Sequence, residues 1–233
     1  MAETSCELNL GTIIKDGPME ELIKAAVIQP AITVTNLICW QALKNALGQD
    51  LTVSCFAGHS LGEYSALYAA GVISAEDAMR LVSKRGALMG REGERNPGGM
   101  RAVLGLDIVA VEALIGKYSG NGVVTAANHN TPQQIVLSGS MDALDAVGAM
   151  AEEEGAKVIP LNVSVANHSP LMDGAVPDFS SFISDVEFKA PQVPVYFNVS
   201  GAKETDTETM KTMMKKQIVS RVRWCEIIES MLQ

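Results

Sequence analysis

Cysteine is scarce in this chain of 233 residues, and its four cysteines are scattered. Cys6, Cys39, Cys55 and Cys225 include no C-x-x-C pair, which argues against both a zinc site and a disulfide framework. The N-terminus also lacks the features of a signal peptide. We therefore expect reduced thiols and a cytoplasmic protein.

Positive charge is scarce as well, since 18 Lys and Arg residues stand against 27 Asp and Glu residues, for a net charge of −9. Such a chain is a poor general binder of nucleic acid or anionic membranes. Apolar residues make up 47 % of the chain, so we expect a buried core. The longest uncharged run, Ala25–Leu43, contains Pro30 and several polar residues, and we interpret it as a turn and a buried helix, not a membrane span.

The outer parts of the chain alternate helices with short apolar runs, which predicts an α/β fold with a mainly parallel sheet. Before residue 97, the predicted elements are helices at Met19–Ile28, from Pro30 to about Leu47, at Leu61–Ala70 and at Ala75–Gly90, with a buried strand at Val53–Phe56. After residue 160, they are a helix at Pro170–Ser184, a strand at Val193–Val199 and two terminal helices.

The middle of the chain has the predicted order β-α-β-β-α-β, which is typical of a ferredoxin-like fold. It follows the loop R-E-G-E-R-N-P-G-G, a plausible boundary. We predict a ferredoxin-like subdomain at 97–160, inserted into a core formed by 1–96 and 161–233. Its predicted strands are Gly99–Leu106, Val123–Asn128, Gln134–Ser138 and Lys157–Val163, and its helices are Ile108–Tyr118 and Met141–Glu154.

A serine at position 60 lies in Gly58-His59-Ser60-Leu61-Gly62, which fits the pattern G-x-S-x-G. A predicted strand ends just before this segment and a helix begins just after it, as a nucleophile elbow requires. The first N–H groups of that helix could stabilise an oxyanion. The alternative is a Gly-Ser turn that only caps the helix.

A serine nucleophile needs a base, and the chain has three histidines. His59 is next to the serine, but neighbouring residues at an elbow point apart. His129 lies in the turn N-H-N-T-P. His168 lies in a loop that leads into a helix, and this loop could place the histidine at the edge of the main sheet where the active site is expected. It could equally be an ordinary loop residue. Because no Asp or Glu stands out as the third member of a catalytic triad, a backbone carbonyl could orient the imidazole.

Arg85 interrupts an apolar stripe on the helix Ala75–Gly90. An arginine that faces the core should have an anionic partner. That partner is either an Asp or Glu in a structural ion pair, or the carboxylate of a substrate held by the guanidinium fork. The sequence leaves both readings open.

Four segments together resemble the malonyl-CoA:acyl carrier protein transacylase family, the acyltransferases of fatty acid and polyketide synthesis. They are A-G-H-S-L-G-E-Y-S-A-L, the arginine in S-K-R-G-A-L-M, the turn N-x-N-T-P-x-Q and the loop N-H-S-P-L-M. The resemblance runs from about Gly17 to the end of the chain. It implies an α/β-hydrolase-like core with a ferredoxin-like insert. It also implies a reaction that needs no metal or redox cofactor.

The resemblance also implies roles for individual residues. Ser60 would carry the malonyl group from malonyl-CoA to the phosphopantetheine thiol of acyl carrier protein, and His168 would act as base and then acid. The implied substrate-binding set is Arg85 for the malonyl carboxylate, Leu61 for the oxyanion, Gln217 for orientation of the histidine through its carbonyl, and His59, Asn128 and Asn130 in the cleft.

A run of basic residues near the C-terminus is a candidate docking site for the acidic carrier protein. The alternative is a solvated helix end that is favourable because of the helix dipole. The residues are Lys211, Lys215, Lys216, Arg221 and Arg223, with no Asp or Glu among them.

The chain departs from the family pattern at both ends. The family opens with a strand and a G-Q-G-S-Q-like loop that supplies a second oxyanion N–H, and it continues beyond the terminal helices with a further strand. Neither feature is present, so we expect a truncated chain with lower activity, because one lost oxyanion donor costs roughly 10²–10³ in rate. Ala166 and Asn167 also differ from the residues that relatives often carry before the histidine, which affects the acyl preference.

Two other functions fit the same motif. A serine hydrolase, such as a thioesterase or lipase, would use the same elbow and release free acid. A non-catalytic form would only bind the carrier protein. Arg85 on the apolar stripe and the lack of an obvious acid favour the transferase over the hydrolase.

Overall fold

The computed structural model describes residues 2–163 and 165–233 as a mixed α/β fold, which confirms the predicted class. Its strands are β1 Phe56–Ala57, β2 Gly99–Leu104, β3 Val124–Thr131, β4 Gln134–Gly139, β5 Lys157–Pro160, β6 Val195–Phe197 and β7 Ala202–Glu204. Its α-helices are α1 Ala2–Cys6, α2 Leu10–Asp16, α3 Met19–Leu22, α4 Ala25–Leu47, α5 Gly62–Ala69, α6 Ala75–Arg95, α7 Ile108–Lys117, α8 Met141–Glu153, α9 Val176–Ser184, α10 Thr207–Lys216 and α11 Trp224–Met231. Short 3₁₀ helices occur at Gly48–Asp50, Pro170–Ala175 and Gln217–Val219.

The first sheet has the order β1-β6-β7, with β1 parallel to β6 and β7 antiparallel to β6. Its central strand β6 is completely buried. Around it, apolar side chains from α5, α6, α9 and α10 form the largest core, which includes Tyr64, Leu81, Phe179 and Met214. The strand predicted at Val53–Phe56 is shorter and less buried than expected, and β7 was not predicted.

The second sheet is antiparallel, with the order β3-β4-β2-β5. Together with α7 and α8, its strands follow the order β-α-β-β-α-β along the chain. This unit has its own apolar core, which includes Val103, Ile135, Leu137 and Leu144. Strand β3 continues through the predicted turn as far as Thr131, with two register shifts against β4.

Helix α4 corrects the prediction for the N-terminal third of the chain. The predicted helix Met19–Ile28 and turn are replaced by the short α3 and a continuous α4, with Pro30 inside α4. Tertiary packing explains this difference: a Cβ atom on Gly86 of α6 would lie 2.4 Å from the carbonyl oxygen of Ala25, so the glycine lets the two helices touch. By length and composition alone, Ala25–Asp50 is able to cross a membrane. A single such helix is weak evidence for a membrane span, because buried core helices meet the same criteria.

Candidate active site

Ser60 lies on a tight turn between β1 and α5. Its φ of 49° is in the left-handed region that a non-glycine residue rarely adopts, as at a strained elbow. A Cβ atom on Gly58 would lie 2.0 Å from the carbonyl carbon of Gly62, so position 58 must be glycine. A Cβ atom on Gly62 would meet nothing within 4 Å. The turn therefore depends on the first glycine of the motif and not sterically on the second.

Asn198, which follows β6, holds this turn from the neighbouring strand. Its Oδ1 accepts a hydrogen bond from the Ser60 N–H at 2.6 Å, and its Nδ2 donates to the Gly58 carbonyl at 2.8 Å. The side chain is 1 % exposed. The parallel pairing of β1 with β6 thus places Asn198 where it satisfies the backbone of the strained turn.

His168 lies against the serine. Its Nε2 is 2.7 Å from the Ser60 Oγ, while its Nδ1 is 3.0 Å from the Gln217 carbonyl oxygen and 2.9 Å from that of Ser220. Since carbonyl oxygens only accept, Nδ1 carries the proton and Nε2 accepts the serine O–H. Burial, helped by the charge of Arg85, lowers the pKa of His168 to about 3, so the ring is neutral near pH 7.

Arg85 reaches the same serine from α6. Its Nη2 donates to the Ser60 Oγ at 3.1 Å, its Nη1 to the Gln29 Oε1 at 2.7 Å and its Nε to the Gln217 Oε1 at 3.1 Å. The side chain is 2 % exposed. Within residues 2–163 and 165–233, no Asp or Glu oxygen lies within ion-pair distance of Arg85. A structural ion pair, one of the two readings of the sequence, is therefore not formed in that part of the chain.

A cavity of about 410 Å³ opens in front of Ser60 and Arg85. Among the described residues, the Leu61 N–H at its edge has no recorded acceptor, so it is free to bind an oxyanion. The cavity is lined by Ile23, Ala25, Ile28, Gln29, Ser60, Leu61, Arg85, Met89, Asn162, Val163, Val165 and Asn167. Asn167, which the sequence linked to the acyl preference, is part of this lining.

The remaining predicted cleft residues lie beside the cavity. His59 points away from Ser60: its Nε2 is 2.8 Å from the Asn130 Oδ1, and its ring packs edge-on to Trp224. Asn128 is buried where β3 meets the chain at Val222, outside the lining of the cavity. His59 and Asn130 therefore join the elbow to the second sheet.

Sequence reasoning missed three residues that contact the site: Gln29, Glu63 and Asn198. Gln29 was only one polar residue in an apolar run, and Asn198 follows a strand without any motif. Glu63 follows the G-x-S-x-G motif directly, and it is completely buried. Burial raises the pKa of Glu63 to about 7, against the opposing effects of hydrogen bonds from Asn198 and Gln217 and of the Arg85 charge.

The five basic residues near the C-terminus differ in their surroundings. Arg221 binds Glu112 at 2.5 Å, and Arg223 binds Glu226 at 3.4 Å. Lys211 lies over the ring of Phe188. Among the described residues, none of Lys211, Lys215 and Lys216 forms a recorded ion pair. The positive charge left for a partner is therefore that of these three lysines.

The structure thus brings together a serine on a strained turn, a neutral histidine held by carbonyls and a buried arginine with no acidic partner among the described residues. The Acyl transferase domain family matches residues 2–233, and the chain belongs to this family of acyltransferases.

Similar proteins agree with this assignment. Malonyl CoA-acyl carrier protein transacylase of Haemophilus influenzae is 36 % identical over 97 % of this chain and 72 % of its own length. The crystal structure of an acyl carrier protein S-malonyltransferase from Vibrio cholerae matches with a TM-score of 0.92 and 36 % identity, over 99 % of this chain and 75 % of that one. A malonyl-transacylase in complex with a type II polyketide synthase acyl-carrier protein matches with a TM-score of 0.93 and 34 % identity, over 98 % of this chain and 74 % of that one.

Proposed function

We propose that this acyltransferase moves a malonyl group from malonyl-CoA to the phosphopantetheine thiol of acyl carrier protein, as a step of fatty acid synthesis. The observation that carries the proposal is the meeting of two groups at one oxygen. The Ser60 Oγ is 2.7 Å from the His168 Nε2 and 3.1 Å from the Arg85 Nη2. A base and a carboxylate-binding cation thus serve the same nucleophile.

In the first half-reaction, the Ser60 Oγ attacks the thioester carbonyl carbon of malonyl-CoA while the His168 Nε2 takes the hydroxyl proton. The Leu61 N–H stabilises the oxyanion of the tetrahedral intermediate. The C–S bond then breaks, and the CoA sulfur leaves with the proton that His168 returns. The product is malonyl-Ser60 with a neutral histidine.

In the second half-reaction, the thiol of the carrier protein attacks the ester carbonyl of malonyl-Ser60. His168 accepts the thiol proton and gives it to the Ser60 Oγ as the ester bond breaks. The carbonyl oxygens of Gln217 and Ser220 hold Nδ1–H throughout, so that Nε2 faces the reacting atoms in both steps. A carbonyl orients the ring in the way that an aspartate does in other serine enzymes.

Arg85 gives the preference for a dicarboxylic acyl group. Three of its five N–H groups donate to Gln29, Gln217 and Ser60. The other two have no acceptor within residues 2–163 and 165–233, and a malonyl carboxylate can accept from both. An acetyl group would leave these two N–H groups without an acceptor and the buried charge without an anionic partner, which is costly. The amide oxygens of Gln29 and Gln217 hold the guanidinium in place, and because they are neutral they do not compensate its charge.

The family relationship supports a finer description of the fold. We propose that the β1-β6-β7 sheet belongs to an α/β-hydrolase-like, mainly parallel sheet and that 97–160 forms the inserted ferredoxin-like subdomain. The parallel β1-β6 pair and the separate apolar core of the second sheet support this division. The active site then lies beside the junction of the two parts, where Asn130 meets His59 of the elbow, while Asn128 is buried at Val222 and does not line the cavity.

Transfer and hydrolysis are separated by the fate of the malonyl group. The chain is incubated with malonyl-CoA, with and without carrier protein that bears phosphopantetheine, and malonyl-carrier protein and free malonate are quantified by mass spectrometry. We expect malonyl-carrier protein to form and free malonate to stay at the level of a Ser60→Ala control. Rapid release of malonate without carrier protein would identify a hydrolase instead.

A further inference from the structure

Glu63 is a buried carboxylate next to the reacting groups, and the mechanism above gives it no part. Its side chain is 0 % exposed. Its Oε1 accepts from the Asn198 N–H at 2.7 Å, and its Oε2 accepts from the Gln217 Nε2. Within residues 2–163 and 165–233, Glu63 forms no ion pair. A buried carboxylate with only neutral donors is costly, so its retention calls for a role.

The Gln217 amide has two orientations, and its partners distinguish them. In the observed orientation Nε2 donates to both Glu63 and the Ser60 carbonyl, the latter at 2.8 Å, and Oε1 accepts from the Arg85 Nε at 3.1 Å. The reverse orientation would bring Oε1 against two acceptors and Nε2 against the donor of Arg85. Both oxygens of Glu63 face N–H donors, so Glu63 acts here as an acceptor. Together with the Ser60 carbonyl, it favours the orientation in which Gln217 presents Oε1 to Arg85.

We propose that Glu63 is a positioning residue that fixes the Gln217 amide, so that Arg85 meets a neutral oxygen and keeps its charge for the acyl carboxylate. The inference rests on the proposed malonyl transfer. The amide separates the carboxylate of Glu63 from the guanidinium, which would otherwise form an ion pair that competes with substrate. Through Gln217, Glu63 thereby sets the preference for malonyl over acetyl groups.

Replacing Glu63 by glutamine tests this assignment. A glutamine at position 63 must present an NH₂ group to the Asn198 N–H or to the Gln217 amide, so one contact is lost or Gln217 turns over. We expect Glu63→Gln to lower the ratio of kcat/KM for malonyl-CoA to that for acetyl-CoA by about 10-fold or more. Loss of a merely structural contact would lower both values by the same factor.

Glu92 provides the matched control, because its carboxylate is also buried, at 2 % exposure, but binds Arg91 and Arg95 away from the site. Glu92→Gln should keep the ratio, whatever it costs in stability. Circular dichroism and thermal unfolding show which variants fold. An unchanged ratio in folded Glu63→Gln would overturn the proposal.

A double variant covers the case in which Glu63→Gln does not fold. In Glu63→Gln/Gln217→Glu, the glutamine can accept from the Asn198 N–H and donate to the new glutamate, which moves the carboxylate onto Arg85. We expect this protein to lose the malonyl preference, and a wild-type ratio in it would contradict the proposal. If the wild-type chain itself transfers no malonyl group, the proposed function fails first. If it does transfer malonyl and the variants keep its ratio, only the role of Glu63 fails.

Discussion

The Arg85 guanidinium lies 3.1 Å from the Ser60 hydroxyl oxygen, so the group that can bind a carboxylate and the candidate nucleophile occupy one site. The contact depends on a close approach of α4 and α6 at Gly86, which also brings Gln29 to the guanidinium. Two N–H groups of Arg85 have no acceptor in the part of the chain that the structure describes, so they are available to the free carboxylate of a malonyl group on Ser60.

Removing the guanidinium should change the choice of acyl group more than the chemistry. We expect Arg85→Ala to lower kcat/KM for malonyl-CoA about 100-fold, because a buried charge-assisted hydrogen bond contributes about 1.5–3 kcal/mol and the carboxylate would lose its partner. The rate with acetyl-CoA should change much less. Steady-state kinetics with both substrates measures the difference. Arg80→Ala, on the exposed side of the same helix, is the control and should leave the preference for malonyl-CoA intact. An unaltered preference in Arg85→Ala would show that Arg85 does not bind the malonyl carboxylate.

The two glycines of the elbow should respond differently to alanine. Gly58→Ala places a Cβ atom 2.0 Å from the Gly62 carbonyl carbon and should abolish activity and lower the melting temperature. Gly62→Ala meets nothing within 4 Å and should be tolerated, since alanine also favours the helix at that position. Thermal unfolding and malonyl transfer of the two variants provide the comparison. Equal damage from both would show that the described turn is not the functional one.

Buried His168 should make the fold sensitive to acid. Its pKa is about 3 in the folded chain and 6.5 ordinarily, so between these values the unfolded state binds a proton that the folded state excludes. The contribution of His168 to stability is therefore complete above pH 6.5 and falls as the pH is lowered, by about 2 kcal/mol between pH 7.5 and 5. Urea unfolding of the wild type and of His168→Asn at both pH values measures this. The raised pKa of Glu63 acts in the opposite sense in both proteins and cancels in the comparison.

His168→Asn should lack most of that acid-dependent loss. If the variant loses as much stability between the two pH values as the wild type does, the histidine is not held neutral in the folded chain.

The lysines at the end of α10 should guide the carrier protein. Lys215→Glu/Lys216→Glu should slow association with the acidic carrier about tenfold at low salt, and the difference should shrink at high salt as the charges are screened. Stopped-flow or surface binding measurements at two ionic strengths give the rates. Lys117→Glu/Lys157→Glu is the control, because it replaces two exposed lysines elsewhere in the fold and changes the net charge by the same amount. An equal effect of both variants would indicate net charge and not a docking site.

Local patterns predicted much of the fold. The helix predicted to begin at Ala75 does begin there, with the Asp77 N–H bound to the hydroxyl of its cap residue Ser74. Every element of the β-α-β-β-α-β segment is also present, with shifted ends. The path of α4 through Pro30 was missed, because contact with α6 outweighs the helix-breaking tendency that a local reading assigns to proline. The three-residue β7 carries too little pattern to be recognised.

The site was predictable only in part. Ser60, Arg85 and His168 stand out through a motif, a charge on an apolar stripe and a family loop, and the structure brings the three together. Gln29 contacts Arg85, 56 positions away in the sequence, and Asn198 contacts Ser60, 138 positions away. No local sequence pattern indicates such distant contacts. Glu63 lies in the first turn of α5, a common position for an acidic residue, and its complete burial is seen only in the structure.

The central claim is that Ser60 carries a malonyl group, and intact-mass spectrometry after brief exposure to malonyl-CoA tests it most directly. We expect one malonyl adduct on the wild-type chain, located on Ser60 by peptide mapping, absent from Ser60→Ala and weak in Arg85→Ala. Addition of carrier protein with a free phosphopantetheine thiol should remove the adduct. No adduct on the folded wild type, or an adduct of equal size on Ser60→Ala, would contradict the account.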